Sequence, residues 1–215
     1  MARARIAVIY YSATGNMHRL AQAFAEGASD AGAQVRLRRV PELAPAEVVG
    51  AQPAWREHLA ATEHIDLASL EDLDWADGIA FGTPTRFGNV SSQLKQFLDT
   101  TSGLWVSGRL ATKAVTGFTG SMDPHGGQES TLLALFNTKY PWGSVIVPPC
   151  WVDYEVAHAA GGNPYGISQV ETQAIEDPAY AKAVREAARN HGARLTRIAQ
   201  AVSPLRTGLA KTTTR

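Results

Sequence analysis

Residues 6–11 (Ile-Ala-Val-Ile-Tyr-Tyr) run without a charge and then break into Ser12, Ala13, Thr14, Gly15 and Asn16. No other stretch limits the fold so strongly. A nearly continuous apolar run of this length suits a strand covered on both faces, the central position of a parallel sheet. Beyond the break, Met17, Leu20, Ala21, Phe24 and Ala28 recur at helical spacing, so the break is a strand-to-helix turn. It offers two hydroxyls, a glycine free to take positive φ, and an amide. Unpaired N–H groups of a first helical turn face such a turn, and the helix dipole favours an anion there. The turn therefore reads either as a phosphate cradle or as an ordinary helix cap of the kind Ser, Thr and Asn make.

If it is a cradle, the residue types narrow what it holds. A nucleoside-triphosphate loop needs G-x-x-x-x-G-K-[ST], and a dinucleotide fingerprint needs three spaced glycines after the first strand; neither is present. A phospho-acceptor receiver needs acidic residues at the end of the first strand, where this chain has Tyr10, Tyr11 and Ser12. The monophosphate of FMN is the natural remaining ligand.

Twenty Lys plus Arg balance twenty Asp plus Glu, which removes the whole-molecule electrostatic case for nucleic acid. It also speaks against a one-electron carrier with an acidic docking surface. Arg36, Arg38 and Arg39 alternate with Val35, Leu37 and Val40 on a second strand at 34–40 and read as a solvated edge. Cys150 is alone, so no intramolecular disulfide forms, and no apolar run approaches the roughly 20 residues of a membrane span. A cytoplasmic chain is expected, with one domain over 1–202 and a frayed tail at 203–215.

Along the chain, 41–69 reads as a connection with some short helix, in which His58 and His64 match no metal-ligand spacing and read as solvated. Residues 70–75 read as a turn, with Asp72, Asp74 and Asp77 as turn or cap residues. A third strand at 78–81 ends in the loop Thr83–Asn89, and a helix follows at 91–99. Residues 101–108 read as a loop carrying an exposed Trp105. A fourth strand at 114–118 ends in Thr119, Gly120, Ser121, Met122, Asp123, Pro124, His125, Gly126 and Gly127, and its helix runs to Tyr140. A fifth strand at 144–147, a long excursion at 153–177 and a closing helix at 178–202 complete the reading. His191 falls on the apolar stripe of that helix, as a core histidine. Five parallel strands alternating with helices predict a doubly wound, flavodoxin-like α/β sheet in the order 2-1-3-4-5. In such a sheet the three special loops share one crevice, beyond the carboxyl ends of the strands.

The run YYSATGN, the segment FGTPTRFGNVSSQLKQFLDTTSGLW, the segment HGGQES and the late GGNPYG resemble the WrbA-type NAD(P)H:quinone oxidoreductases, between residues 5 and 200. The resemblance implies that Ser12, Ala13, Thr14, Gly15, Asn16 and Met17 hold the FMN phosphate. It places Pro84, Thr85, Arg86, Phe87 and Gly88 along the isoalloxazine ring, with Thr119, Gly120, Ser121, Met122, Asp123, Gly126 and Gly127 on its other side. Trp105 matches the tryptophan that walls the substrate site; Thr14 and His125 read as further substrate contacts, His125 equally as a contact to a neighbouring subunit or a residue that structures its loop. Implied partners are NADH or NADPH and a quinone, taken in turn at one site of a homotetramer, without a metal and without a catalytic side chain, since the flavin carries the chemistry.

Two departures from the family pattern stand out. Pro141, Trp142 and Gly143 replace a His-His-Gly turn, and Met122, Asp123 and Pro124 replace small hydroxylated residues. The first keeps a second reading open, an FMN-binding sensor or electron carrier with little quinone turnover. A DNA-binding repressor, the third reading, finds no support in the charge balance or in any DNA-reading element.

Overall fold

β1 (Arg5–Tyr10) lies between β2 (Gln34–Arg39) and β3 (Gly78–Pro84), and beyond β3 come β4 (Ala114–Ser121) and β5 (Val145–Ile146). All neighbours pair in parallel in the expected order β2-β1-β3-β4-β5. These relations come from a computed structural model that describes residues 3–150 and 153–206. The unbroken apolar run of β1 has a direct cause: Ile6, Val8 and Tyr10 enter the core on one face of the sheet, while Ala7, Ile9 and Tyr11 enter the core on the other. Alternating polarity would have buried polar side chains in one of the two cores.

The helices depart from expectation where local hydrogen bonding outweighs composition. α1 (Asn16–Asp30) buries the predicted stripe. The connection at 41–69 holds α2 (Ala46–Gly50) and α3 (Pro53–Ala61). Residues 70–75 form α4 (Leu70–Trp75) rather than a turn, because the Asp72 N–H donates to Ser69 Oγ while the Asp72 carboxylate accepts from the Ser69 N–H at 3.0 Å. α5 (Ser92–Asp99) is capped by Ser91, and the expected loop at 101–108 contains α6 (Ser102–Val106). The predicted helix to Tyr140 is two helices, α7 (Gln128–Asn137) and α8 (Lys139–Trp142).

The excursion at 153–177 carries α9 (Tyr154–Ala159), then β6 (Ile167–Val170) and α10 (Glu171–Glu176), before α11 (Pro178–Val202). β6 is a sixth strand that the sequence did not announce. It pairs with Phe118–Ser121 of β4, beyond Ala114 and Val115, which pair with β5. Two short strands thus share the fifth position. Of the two β6 residues that turn inward, Ile167 is apolar and Gln169 is not, so the four-residue run has no apolar alternation to read.

α1 and α11 cover one face of the sheet and cross closely. A Cβ on Gly27 would stand 1.9 Å from the Arg189 carbonyl oxygen, and one on Gly192 would stand 2.2 Å from that of Phe24. His191 lies buried there, its Nε2 3.0 Å from both Thr116 Oγ1 and the Val147 carbonyl, the structural place expected of it. The arginines of β2 are not a solvated edge: Arg36 and Arg38 converge on the buried Asp72, and Arg36 also stacks 4.2 Å from the Trp75 ring centroid. Residues Ser203–Arg206 form a 3-10 turn tied down by Arg206 to Asp77 at 3.0 Å, and the remainder of the predicted tail lies outside the described residues. Among the described residues no helix is long and apolar enough to cross a membrane.

Candidate active site

At the carboxyl end of β1 the chain turns through Gly15 (φ 99°), whose N–H donates to Ser12 Oγ at 3.0 Å. A residue with a Cβ is strained in that backbone region. No side chain caps α1, so the N–H groups of its first turn keep their hydrogen-bonding capacity for something outside the helix. Ser12, Ala13, Thr14, Asn16 and Met17 border a cavity of about 320 Å³.

The second loop meets the third through Thr85. Its N–H donates to the Gly120 carbonyl at 2.9 Å, and its hydroxyl donates to the Gly126 carbonyl at 3.2 Å and accepts from Thr131 at 2.7 Å. Beyond it, Arg86 and Asn89 exchange backbone hydrogen bonds at 2.8 and 3.0 Å around Phe87 (φ 52°) and Gly88. That tight turn holds the Phe87 side chain fully in solvent.

The cavity therefore brings together ten of the expected residues besides Asn16: Ser12, Ala13, Thr14, Met17, Pro84, Thr85, Arg86, Gly120, Ser121 and Met122. Other expected residues stand outside its lining. Gly15 shapes the first turn; Phe87 is exposed at the tip of the second loop beside the half-buried Gly88; and Thr119 is wholly buried, donating to the Thr83 carbonyl. Asp123, Gly126 and Gly127 shape the third loop, where the Asp123 carbonyl accepts from Ser121 and Gln128. His125 is exposed. Trp105 is about half exposed, and its indole N–H donates to the Pro141 carbonyl at 2.7 Å.

Four lining residues escaped the sequence reading: Gln52 and Trp55 from the connection, Gln169 from β6, and Glu171 from α10. Trp55 is fixed by Glu42, whose Oε2 accepts from the Trp55 indole at 2.9 Å and from Tyr11 Oη at 2.8 Å, while Oε1 accepts from Gln93 at 2.8 Å and from the Ala44 N–H at 2.9 Å. Burial pushes the Glu42 carboxyl up, but these donors outweigh it and hold it below the usual carboxylate range.

α3 also presses His58 against the first loop. A Cβ at Gly15 would lie 3.4 Å from His58 Nδ1 and 3.3 Å from the Arg19 guanidinium. The His58 ring stands 5.5 Å from that of His18, which is bonded to Tyr10 Oη. Burial, followed by His58, His64 and Arg19, pushes His18 down to about 4; burial, Arg19 and Arg39 push His58 down as well. The solvated role expected for His58 is thus replaced by a half-buried position.

The donor set fits a flavin phosphate better than a bare helix cap: uncapped helix N–H groups, the Ser12 and Thr14 hydroxyls and Arg86 border a cavity that Trp55 and Met122 also line. Comparisons agree with that chemistry. Residues 4–157 match the family described as NADPH-dependent FMN reductase. An NAD(P)H dehydrogenase (quinone) of Deinococcus radiodurans is 44% identical over 76% of this chain and 82% of its own length. One of the same name from Sinorhizobium fredii is 40% identical over 91% of this chain and 97% of its own. Among solved structures, a flavodoxin, WrbA-like protein from Agrobacterium tumefaciens superposes with TM-score 0.63 at 26% identity, over 93% of this chain and 99% of that one. A flavodoxin from the domain Archaea, at 15% identity and TM-score 0.55 over 91% of this chain and 99% of that one, shares the fold.

Proposed function

The chain belongs to the NADPH-dependent FMN reductase family, and from that membership we propose that it is an oxidoreductase that holds FMN between the three strand ends and reduces quinones with NADH or NADPH. The observation carrying this reading is the uncapped α1 N-terminus opening on the cavity formed by the ends of β1, β3 and β4. When bound, FMN supplies hydride and two-electron chemistry between nicotinamide and quinone.

The chain's own residues bind, orient and exclude water. Ser12, Thr14 and the first-turn N–H groups of α1 hold the phosphate, with Ala13, Gly15, Asn16 and Met17 shaping the turn. Pro84, Thr85 and Arg86 border the ring on one side, and Gly120, Ser121 and Met122 on the other. Phe87 and Gly88 extend that border at the tip, while Thr119, Asp123, Gly126 and Gly127 keep the third loop in place. The Thr85 bonds to the third loop fix the width of the slot before any ligand enters, so the ring meets a preorganised site. Nicotinamide and quinone use one site in turn, bordered by Thr14, Trp105 and His125.

A homotetramer belongs to the same proposal. Trp105 and His125 stand outside the protomer's own cavity, and the exposed Phe87, Trp105, Val106 and Tyr140 offer apolar surface for a neighbouring copy to complete the substrate site. A cytoplasmic location accords with the nicotinamide substrate and with the free Cys150.

Steady-state oxidation of NADH and NADPH with benzoquinone by the FMN-loaded protein tests the activity, after an absorbance spectrum has established the flavin. Quinone-dependent turnover is expected. Negligible turnover with flavin bound would replace the enzyme with a flavin-binding sensor or carrier. Analytical ultracentrifugation tests the assembly.

A further inference from the structure

The α1 N-terminus is flanked by the guanidiniums of Arg19 and Arg39. Arg19 donates to the amide oxygen of Asn16, and Arg39 donates to the carbonyls of Ile65 and Glu63. Among the described residues neither makes an ion pair with a carboxylate. Against these two guanidiniums stand three imidazoles, His18, His58 and His64.

His58 is the member delivered to the loop. It comes from α3, part of a connection otherwise tied to the sheet through Glu42 and Trp55, and its Nδ1 reaches 3.4 Å from where a Gly15 Cβ would stand. The groups facing it are Arg19 and His18 from α1, Arg39 from β2, and Glu42, which lines the same small void and whose oxygens accept from Tyr11, Trp55, Gln93 and Ala44. Tyr10 stands behind His18 on β1, and His64 beyond the end of α3. A half-buried imidazole, held neutral first by burial and then by Arg19 and Arg39, resists protonation until an anion arrives.

We propose that His58, supported by Arg19, is a positioning and specificity residue for the phosphate end of the cofactor. It takes up a proton when a phosphomonoester dianion occupies the first turn, and it thereby selects FMN over its dephosphorylated form, riboflavin. The inference rests on the cofactor reading above and goes further by assigning phosphate recognition partly to a side chain outside the strand-to-helix turn. Linkage fixes the sign: a phosphate that favours protonated His58 binds more tightly at lower pH. Above about pH 6.5 the phosphate is largely dianionic. From there to pH 9, FMN affinity falls as the proton becomes harder to hold, while riboflavin affinity stays level.

Flavin fluorescence quenching, titrated with FMN and with riboflavin at pH 6.5, 7.5 and 9, tests this on the full chain. His58→Ala is expected to weaken FMN binding at pH 6.5 by roughly tenfold, the worth of one charge-assisted hydrogen bond, to leave riboflavin within about twofold, and to flatten the FMN pH profile. His58→Lys carries a charge that does not titrate in this range, so it should keep the FMN preference and lose the pH dependence. An unchanged FMN-to-riboflavin ratio and pH profile in His58→Ala would overturn the inference and leave the cofactor reading standing. If the wild type bound neither flavin, the cofactor reading would fall, and the inference with it.

Discussion

Lys139 stands where a core residue belongs. Its ammonium nitrogen is fully buried, has no hydrogen-bond partner among the described residues, and lies 3.9 Å from the Phe81 ring centroid and 3.8 Å from that of Trp142. Two effects compete there. Two desolvated cation–π contacts contribute about 2 kcal/mol each, whereas burying an ammonium without an anion costs several kcal/mol, and no acceptor offsets that cost. Burial wins and drives the lysine well below its ordinary value of 10.5. The unfolded chain therefore binds more protons than the native one between the depressed folded value and 10.5, and stability climbs with pH in that window by up to about 1.4 kcal/mol per unit. The corresponding stability is absent at lower pH. Replacing Lys139 with Met keeps the stem and removes the amine, so at pH 7 the variant should be more stable by about 1–4 kcal/mol, or roughly 2–16 °C in Tm for a chain of this size. Urea unfolding of wild type and Lys139→Met at pH 7, 8 and 9 measures both quantities. The advantage of the variant should shrink as pH rises. A destabilised variant whose deficit does not change with pH would refute the reasoning and show that the two rings hold the lysine charged.

Three other perturbations follow from the same geometry. Gly27→Ala places a Cβ against the Arg189 carbonyl, and because both partners are helix backbone, α1 and α11 must separate; thermal denaturation should show a loss of about 3 kcal/mol or more. His191 is held neutral, pushed down to about 4 chiefly by burial; with its unfolded value at 6.5, its contribution of about 3 kcal/mol is complete above pH 6.5 and is lost as pH falls toward 4. The pH dependence of urea unfolding between pH 7 and 4.5 should accordingly be shallower in His191→Gln than in wild type. Glu42→Gln puts an amide donor among Tyr11, Trp55, Gln93 and Ala44, which all donate; a cost of about 2–4 kcal/mol is expected, read as a lower urea midpoint together with weaker flavin binding.

What the sequence disclosed tracks how local the determinant is. The β1 run and the stripe of α1 were legible because burial on both faces of a strand, or on one face of a helix, leaves a periodic trace in consecutive residues. The strand order followed from alternation and handedness. α4 was missed because its sign is a single reciprocal cap between Ser69 and Asp72, easily read as turn chemistry. β6 was missed because its inward-facing Gln169 erases the alternation. The cavity residues Gln52, Trp55 and Gln169 and the loop-facing His58 were hidden for a different reason: each depends on pairings between segments far apart in the chain, which no local spacing encodes.

Those long-range pairings explain how an irregular connection becomes one wall of a site. Residues 41–69 have little apolar periodicity, and α3 buries none of its residues, so hydrophobic packing alone would leave this segment loosely held. Glu42 supplies the missing constraint. One carboxylate receives hydrogen bonds from Tyr11 at the end of β1, Gln93 in the first turn of α5, Trp55 on α3 and the backbone of its own turn. Because those donors come from both the sheet and the connection, moving α3 would strand several of them at once, each at a cost of about 1–3 kcal/mol where buried. The polar network therefore does for the connection what apolar burial does for the sheet, and it holds Trp55 at the cavity and His58 at the turn on which the fold is centred.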